Sequence, residues 1–379
     1  MSVIVPVYNG GDDLRRCLQA VRASRWPALE CIVVDDGSTD GCAAELAARY
    51  GARLLRRARQ QGPAAARNAG AAEATGEILF FVDADVVLDA EAIGLAAEAL
   101  QSDAALGAVF GSYDEQPDAP GLLSRYRNLY HHWNHQVGGE EASTFWTGCG
   151  AVRRGLFLSL GGFSESFERP SIEDIEFGYR LRAAGHRIRL LKRMQGKHLK
   201  RWGFYNMIHT DLFLRGVPWV VLLQRFDDAP ADLNLGWTAR LATAGTGLLL
   251  LTLALLAGLR PAALLPFLGF LAACLAAGML ARRPLAAGRA TRSAVAALLA
   301  LALPLTAALR FPDPWALAPL ALTAVVVGLQ WDFYRLLNRL QGFAFALAAV
   351  PLQLLFFVNC GLAVPLGLGK HLLSRKARA

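Results

Sequence analysis

Two arrangements of apolar and polar positions divide the chain. Over residues 1–110, short apolar runs alternate with segments whose apolar residues recur at helical spacing. Residues 2–7 form a first strand-like run. Residues 12–24 carry Leu14, Leu18 and Val21 three or four positions apart, as an amphipathic helix requires. The alternation continues through a strand at 29–34, a helix at 40–50, a strand at 52–56, an alanine-rich helix at 63–74 and a strand at 77–82. Near-continuous apolar strands, each followed by a helix, predict a parallel, doubly wound sheet. In such sheets ligands bind beyond the carboxyl ends of the strands, so the residues just after each strand are the first candidates for chemistry.

Beyond residue 238 the alternation stops. Uncharged runs cover 241–259, 261–281, 294–309, 315–329 and 343–369. The first, second and last are long enough to cross a hydrocarbon core of about 30 Å, and the two between are marginal. Five such runs in succession predict about four or five membrane spans rather than a set of buried core helices.

Composition sharpens this division. Of 379 residues, 54% are hydrophobic and 18% charged, against roughly a quarter charged in a soluble domain. Residues 238–379 hold only two acids, Asp313 and Asp332, and carry a net charge of +11, whereas residues 1–237 carry −3. The total of +8 therefore marks no nucleic-acid surface; it belongs to an apolar, basic region whose partner is a membrane. Arg282, Arg283, Arg289 and Arg292 cluster between the second and third runs, which the positive-inside rule places in the cytoplasm together with the N-terminal domain. The six cysteines show no CxxC pair, as expected of reduced thiols. Met1 leads straight into the first strand-like run, so no cleavable leader is expected, and the excess of 34 Arg over 5 Lys resembles a GC-rich bacterial genome. The expected location is a bacterial cytoplasmic (inner) membrane.

Two acidic clusters sit where strands should end. Asp35-Asp36-Gly37-Ser38-Thr39-Asp40 reads equally well as a tight turn capping the next helix. Asp83-Ala84-Asp85 closes the run Phe80-Phe81-Val82, and two carboxylates there repel unless a cation or solvent offsets them. A hard divalent ion with oxygen ligands is an obvious occupant. Neither a GxGxxG nor a P-loop is present, which disfavours a dinucleotide dehydrogenase or an ATPase. Ser171-x-x-Asp174 has the form of a capping box opening a helix through Arg182.

Taken together, Ser2–Asn9, Asp35–Ser38, Ala66-Arg67-Asn68-Ala69-Gly70, Asp83-Ala84-Asp85, Gly148–Arg154 and Glu173-Asp174 resemble the ordered motifs of family 2 glycosyltransferases of the GT-A fold, over roughly residues 1–230. The resemblance implies an α/β, Rossmann-like nucleotide-sugar-binding domain, here followed from residue 238 by an all-α transmembrane domain. It implies that Pro6, Tyr8 and Asp36 line the nucleobase pocket and that Arg67 faces the ribose or diphosphate. It further places Asp83 in the donor site, Asp85 and His198 on a Mg²⁺ or Mn²⁺ ion, and Asp174 as the catalytic base. Gly148, Glu173, Arg201 and Trp202 would lie toward the acceptor, as would His131, His132 and His135.

One carboxylate acting as base, without a second nucleophile, implies direct displacement with inversion. His198-x-x-Arg201-Trp202 is similar to the QxxRW motif of processive synthases, but with His in place of Gln, which favours transfer of a single sugar. A processive synthase and a non-catalytic membrane protein with a degenerate transferase domain stay open as alternatives. Residues 202–226, rich in Trp, Phe, Leu and Arg, read as an interfacial segment before the first span. The expected partners are a nucleotide-sugar donor and a membrane lipid acceptor, a polyprenyl phosphate or a lipid-linked saccharide, within the cell envelope.

Overall fold

The computed structural model describes every residue except 27–28, 168, 227–235, 283–287 and 377–379. The chain separates into two compact units that are not contiguous in sequence. The first comprises Met1–Ala119, Asn134–Arg201 and Leu222–Leu233; the second comprises Pro120–Trp133, Trp202–Val221 and Asn234–Ala379.

Among its described residues the first unit has nine strands: β1 (Ser2–Val7), β2 (Glu30–Asp35), β3 (Arg53–Arg56), β4 (Ile78–Val82), β5 (Val86–Leu88), β6 (Leu106–Tyr113), β7 (Glu141–Ala142), β8 (Cys149–Arg153) and β9 (Arg187–His198). Their order is β3-β2-β1-β4-β8-β6-β9-β5, with β7 beside β9. The predicted parallel arrangement holds for β3, β2, β1 and β4. It does not extend to β6, because β8 returns antiparallel and inserts between β4 and β6. The crevice where strand order reverses thus lies at the carboxyl ends of β1 and β4.

Alternating side chains feed two cores. Val3, Val5, Phe80 and Val82 face α1 (Gly11–Arg22), α2 (Cys42–Tyr50) and α4 (Ala92–Ser102). Ile4, Val34, Leu79 and Phe81 face α3 (Pro63–Glu73), α6 (Arg154–Ser159) and α7 (Glu173–Ala183). On that second face Phe81, Phe157, Phe163 and Phe177 form an aromatic cluster with ring centroids 5.0–5.3 Å apart. Such contacts add to the several kcal/mol that burying each ring contributes, and they pin α7 to the sheet. The predicted capping box at the start of α7 is absent: the helix opens at Glu173 with no side-chain cap, and Glu173 itself accepts the Ser171 N–H.

α5 (Leu122–Val137) contributes its first three-quarters, through Trp133, to the second unit. That unit continues with α8 (Phe204–His209), a π-helical turn (Thr210–Gly216), α9 (Val217–Leu223) and α10 (Trp237–Leu259). A short turn leads into α11 (Leu265–Arg282), followed by α12 (Arg289–Arg310), α13 (Ala318–Leu329), α14 (Trp331–Gln341), α15 (Phe343–Ala348) and α16 (Val350–Lys376). Among the described residues, four stretches are long and apolar enough to cross a bilayer: Trp237–Leu259, Pro261–Ala281, Arg289–Arg310 and Phe343–Ser374. The marginal run at 315–329 yields only the short α13, which turns through 80° into α14, so a fifth span exists only if that bent pair counts as one. Of the arginine loop, Arg283 lies outside the described residues. In the segment read as interfacial, Phe204, Tyr205 and Phe213 are exposed.

A fully buried ion pair, Arg127 with Asp211, sits inside the second unit, and the guanidinium lies over the rings of Tyr130, Trp202 and Phe356. Tyr126 Oη donates to Gln353 Oε1 at 2.7 Å. Removing a charge from a buried, apolar site while leaving its partner costs several kcal/mol, so this pair constrains which helices can pack together.

Candidate active site

The carboxyl ends of β1 and β2 are held side by side. Val7 pairs with Asp35, and the Asp36 N–H donates to Val7 O at 2.9 Å. Tyr8, just past β1, is 45% exposed. Asn9 takes a positive φ of 53° and its Oδ1 accepts from the backbone N–H groups of Thr39 and Asp40, locking the loop after β2. Asp36 is buried. Its carboxylate accepts from the backbone N–H groups of Gln61 (3.1 Å) and Gly62 (2.8 Å), with the Arg57 guanidinium at 3.3 Å. The structure therefore gathers Pro6, Tyr8 and Asp36 at one corner, with Asp36 already engaged by the loop before α3.

Asp83 and Asp85 flank a tight turn between β4 and β5, closed by the Val86 N–H to Asp83 O at 3.0 Å. β5 then pairs antiparallel with the end of β9, matching Val86 to His198. This ladder, from a chain distance of over a hundred residues, brings His198 Nε2 to 3.5 Å from Asp85 Oδ2. Burial pushes the Asp85 carboxyl up, but His198 and Lys200 outweigh it and hold the group below its usual range. Tyr113, at the end of β6, stacks on the His198 imidazole with centroids 4.2 Å apart and planes within 7°. Trp146 packs edge-on against Tyr113 at 4.7 Å.

Arg67, in α3, ties the two halves of the site. It is buried, and it donates from Nη1 to Glu173 Oε1 (2.8 Å) and from Nη2 to Asp83 Oδ1 (2.7 Å). Burial opposes its charge, but the facing carboxylates of Asp83, Glu173 and Asp174 keep it firmly protonated. Three carboxylates thus share one cation. Asp174 bears the consequence: burial and the adjacent Glu173 push it up to about 6. Its Oδ2 accepts from the Thr147 N–H at 3.2 Å and the Thr147 hydroxyl at 3.3 Å.

Two glycines make this approach possible. A Cβ on Gly178 would lie 2.4 Å from Phe145 N, so α7 reaches the Thr144–Thr147 backbone only because that side chain is missing. A Cβ on Gly148 would lie 2.2 Å from the Trp146 ring. Gly148 precedes β8, whose first residue faces Val82, so it borders the Asp83–Asp85 turn.

The remaining candidates are placed differently. Trp202 is buried in the second unit, where its indole N–H donates to Asn128 Oδ1 at 3.2 Å. Arg201 is exposed in the first unit. His131 lies within the second unit near Trp202 and Arg215, and His132 is buried. His135 packs on Phe110 and Trp146 in the first unit. Tyr113 and Thr147 were not apparent from the sequence, since neither stands in a motif and both act through non-local pairing.

Among the described residues, no group of three or more His, Cys, Asp or Glu side chains forms a metal cage. Asp85 and His198 nonetheless fit a divalent ion. They offer one oxygen and one nitrogen donor, and the Asp85 side chain keeps 32% of its surface open. Mg²⁺ and Mn²⁺ are commonly held by one or two side chains, with substrate phosphates and water completing the shell.

Residues 2–161 match the family model described as Glycosyl transferase family 2. An uncharacterized glycosyltransferase of Escherichia coli (strain K12), YibD, is 46% identical over 90 residues, 22% of this chain and 26% of the relative. A pre-mycofactocin glycosyltransferase of Mycobacterium tuberculosis is 29% identical over 267 residues, 65% of this chain and 53% of the relative. A dolichol-phosphate mannosyltransferase of Pyrococcus furiosus is 31% identical over 134 residues, 33% of this chain and 38% of the relative. The chain thus spans between 26% and 53% of these relatives' lengths. Among solved structures, a mannosyltransferase from Pyrobaculum calidifontis in complex with GDP-Man and Mn²⁺ superposes with a TM-score of 0.53 at 21% identity, over 93% of this chain and 86% of the other. The first unit therefore has the GT-A fold.

Proposed function

We propose that the protein is an inverting glycosyltransferase that moves a single sugar from a nucleoside-diphosphate sugar to a lipid-linked acceptor at a membrane. The observation that carries the reading is the pair of carboxylate centres joined by Arg67. Asp83 and Asp85 stand on one side, and Asp174 with a pKa near neutrality on the other. A base is most useful when its pKa lies near the working pH, and a value of about 6 leaves Asp174 ionised and able to take a proton from an acceptor hydroxyl. The Thr147 N–H and hydroxyl hold its Oδ2 and the Ile175 N–H holds its Oδ1 at 2.9 Å, so the carboxylate is fixed in orientation and each oxygen keeps a lone pair for an incoming hydroxyl. With no second nucleophile assigned, direct displacement inverts the anomeric centre.

Asp85 and His198 would hold a divalent cation, which when bound supplies Lewis-acid stabilisation of the departing diphosphate. Tyr8 offers a half-exposed ring on which a nucleobase can stack, and Asp36 fixes the loop beside it. The four apolar helices favour an acceptor that resides in a bilayer, as does the dolichol-phosphate acceptor in the name of one relative. The arginines clustered between the second and third apolar runs support a cytoplasmic catalytic unit.

The test is to supply membranes containing the protein with a panel of radiolabelled nucleotide sugars and follow the label. Label in the organic extract, lost on Asp174→Asn substitution, supports the reading. Label confined to soluble glycans or protein refutes the lipid acceptor, and long polymeric product refutes single-sugar transfer.

A further inference from the structure

The second unit contains a cavity of about 400 Å³ that the transfer reaction does not use, a volume within the range of small-molecule sites. Its walls are apolar side chains such as Phe270, Val327 and Leu347, from α11, α13 and α15. Of its polar lining residues, Arg335 and Asn338 stand together on α14 beside Trp331 and Tyr334, whereas Thr323 of α13 donates its hydroxyl to Pro319 O at 2.8 Å. α14 meets α13 at 80°, buries Phe333, Tyr334 and Leu337, and turns charged residues outward. That is the form of a helix lying in a bilayer interface. The α14 side is basic. Arg289 packs at 3.0 Å from the position a Gly342 Cβ would take, and its guanidinium reaches Arg339 O at 3.5 Å. Arg335 and Arg339 stand on α14 itself, and Asp332, 3.7 Å from Arg335, is the single acid of the helix.

We infer that this cavity holds one acyl chain of an anionic phospholipid, with the lipid phosphate at Arg335. An apolar slot between spans, opening at an arginine-rich interfacial helix, matches an anionic lipid in both its parts. A neutral lipid would fill the slot equally well but brings no net charge to complement the two arginines and single acid of α14. The site is separate from the sugar-transfer centre, and the inference rests only on the reading of the apolar helices as spans.

The experiment uses the full chain, extracted in mild detergent and washed. Retained lipid is then identified by mass spectrometry, and phosphatidylglycerol is titrated against phosphatidylethanolamine. The wild type should keep one anionic phospholipid, with a preference over the neutral lipid of about fivefold, the effect expected of one nearby arginine. Ala324→Phe, which fills the slot from an exposed position on its wall, should remove most of the retained lipid. Arg335→Glu, at an exposed position, should abolish the charge preference while the melting temperature stays unchanged. Retention unaffected by Ala324→Phe, a preference that survives Arg335→Glu, or a neutral lipid or polyprenyl phosphate as the retained species would each overturn the inference. Alkaline carbonate extraction scores the spans separately. A chain that stays in the pellet but holds no lipid refutes this site alone, whereas a chain released into solution refutes both readings.

Discussion

Replacing Asp174 by Asn should make the protein inactive and, above neutral pH, more stable. A carboxyl displaced from 3.8 to about 6 weakens the folded state, when ionised, by about 3 kcal/mol relative to a free one. The sign follows from linkage. The folded pKa lies above the unfolded one, so the fold loses stability as pH rises from about 4 to about 6 and stays at the lower level beyond. Asn never ionises and escapes that loss. It does give up one of the hydrogen bonds made with Thr147 or Ile175, at about 1 kcal/mol. The net expectation is a gain of about 2 kcal/mol at pH 8, or about 4–8 °C in melting temperature for a domain of this size. The advantage over wild type should grow by about 1.4 kcal/mol between pH 5 and pH 8. Melting curves of both proteins in one detergent across that range provide the measurement. An advantage that does not change with pH would show that Asp174 is not held near 6. Turnover should meanwhile fall by about 10²–10⁴-fold with nucleotide binding unchanged, as for loss of a general base; a variant within tenfold of wild type would remove Asp174 from that role.

Activity of the intact protein should rise with pH through about 6 and then level off, as Asp174 ionises; a flat pH–kcat/KM profile between 5 and 7 contradicts this. A chelator should stop transfer and Mg²⁺ or Mn²⁺ should restore it. Asp85→Ala should weaken both donor binding and turnover, and full activity in chelator would dismiss the Asp85–His198 site. Tyr113→Leu should loosen Mn²⁺ binding, read by electron paramagnetic resonance, because it removes the ring stacked on His198, whereas Tyr113→Phe keeps that ring and should bind as wild type. In the second unit, Asp211→Asn strands the buried Arg127 and should lower stability by about 3–5 kcal/mol; an unchanged melting temperature would mean the pair is not buried as described.

The parallel half of the sheet was legible in the sequence because β1, β2 and β4 are apolar runs, two of them, β2 and β4, with acids at their ends, a local signal. Asp36, Asp83 and Asp85 could be found for the same reason. Arg67 was recognisable as a site residue but not as the tie between Asp83 and Glu173, since its partners lie 16 and 106 positions away. The pairing of β5 with β9 and the stack of Tyr113 on His198 depend on sheet order, which no periodicity encodes. The capping box misled because Glu173 and Asp174 are drawn to Arg67 and Thr147, and those buried partners outweigh a surface cap. In the apolar region, hydropathy ended the run at residue 329 but did not give the 80° angle at which α14 leaves α13 at Gln330.

The partnership of β5 with β9 has a bearing on how this catalytic unit can be divided. The segment matching the family ends at residue 161, yet β9, Asp174 and His198 all lie beyond it. Cutting the chain there would strip β5 and β7 of their neighbour and leave β6 with an open edge along most of its length, and such an edge invites aggregation. Asp85 would lose the imidazole beside it in the same cut. A transplantable catalytic module therefore has to run at least through His198, and an insertion meant to leave activity intact belongs in the exposed turns before β9 rather than between β9 and β5 in the sheet.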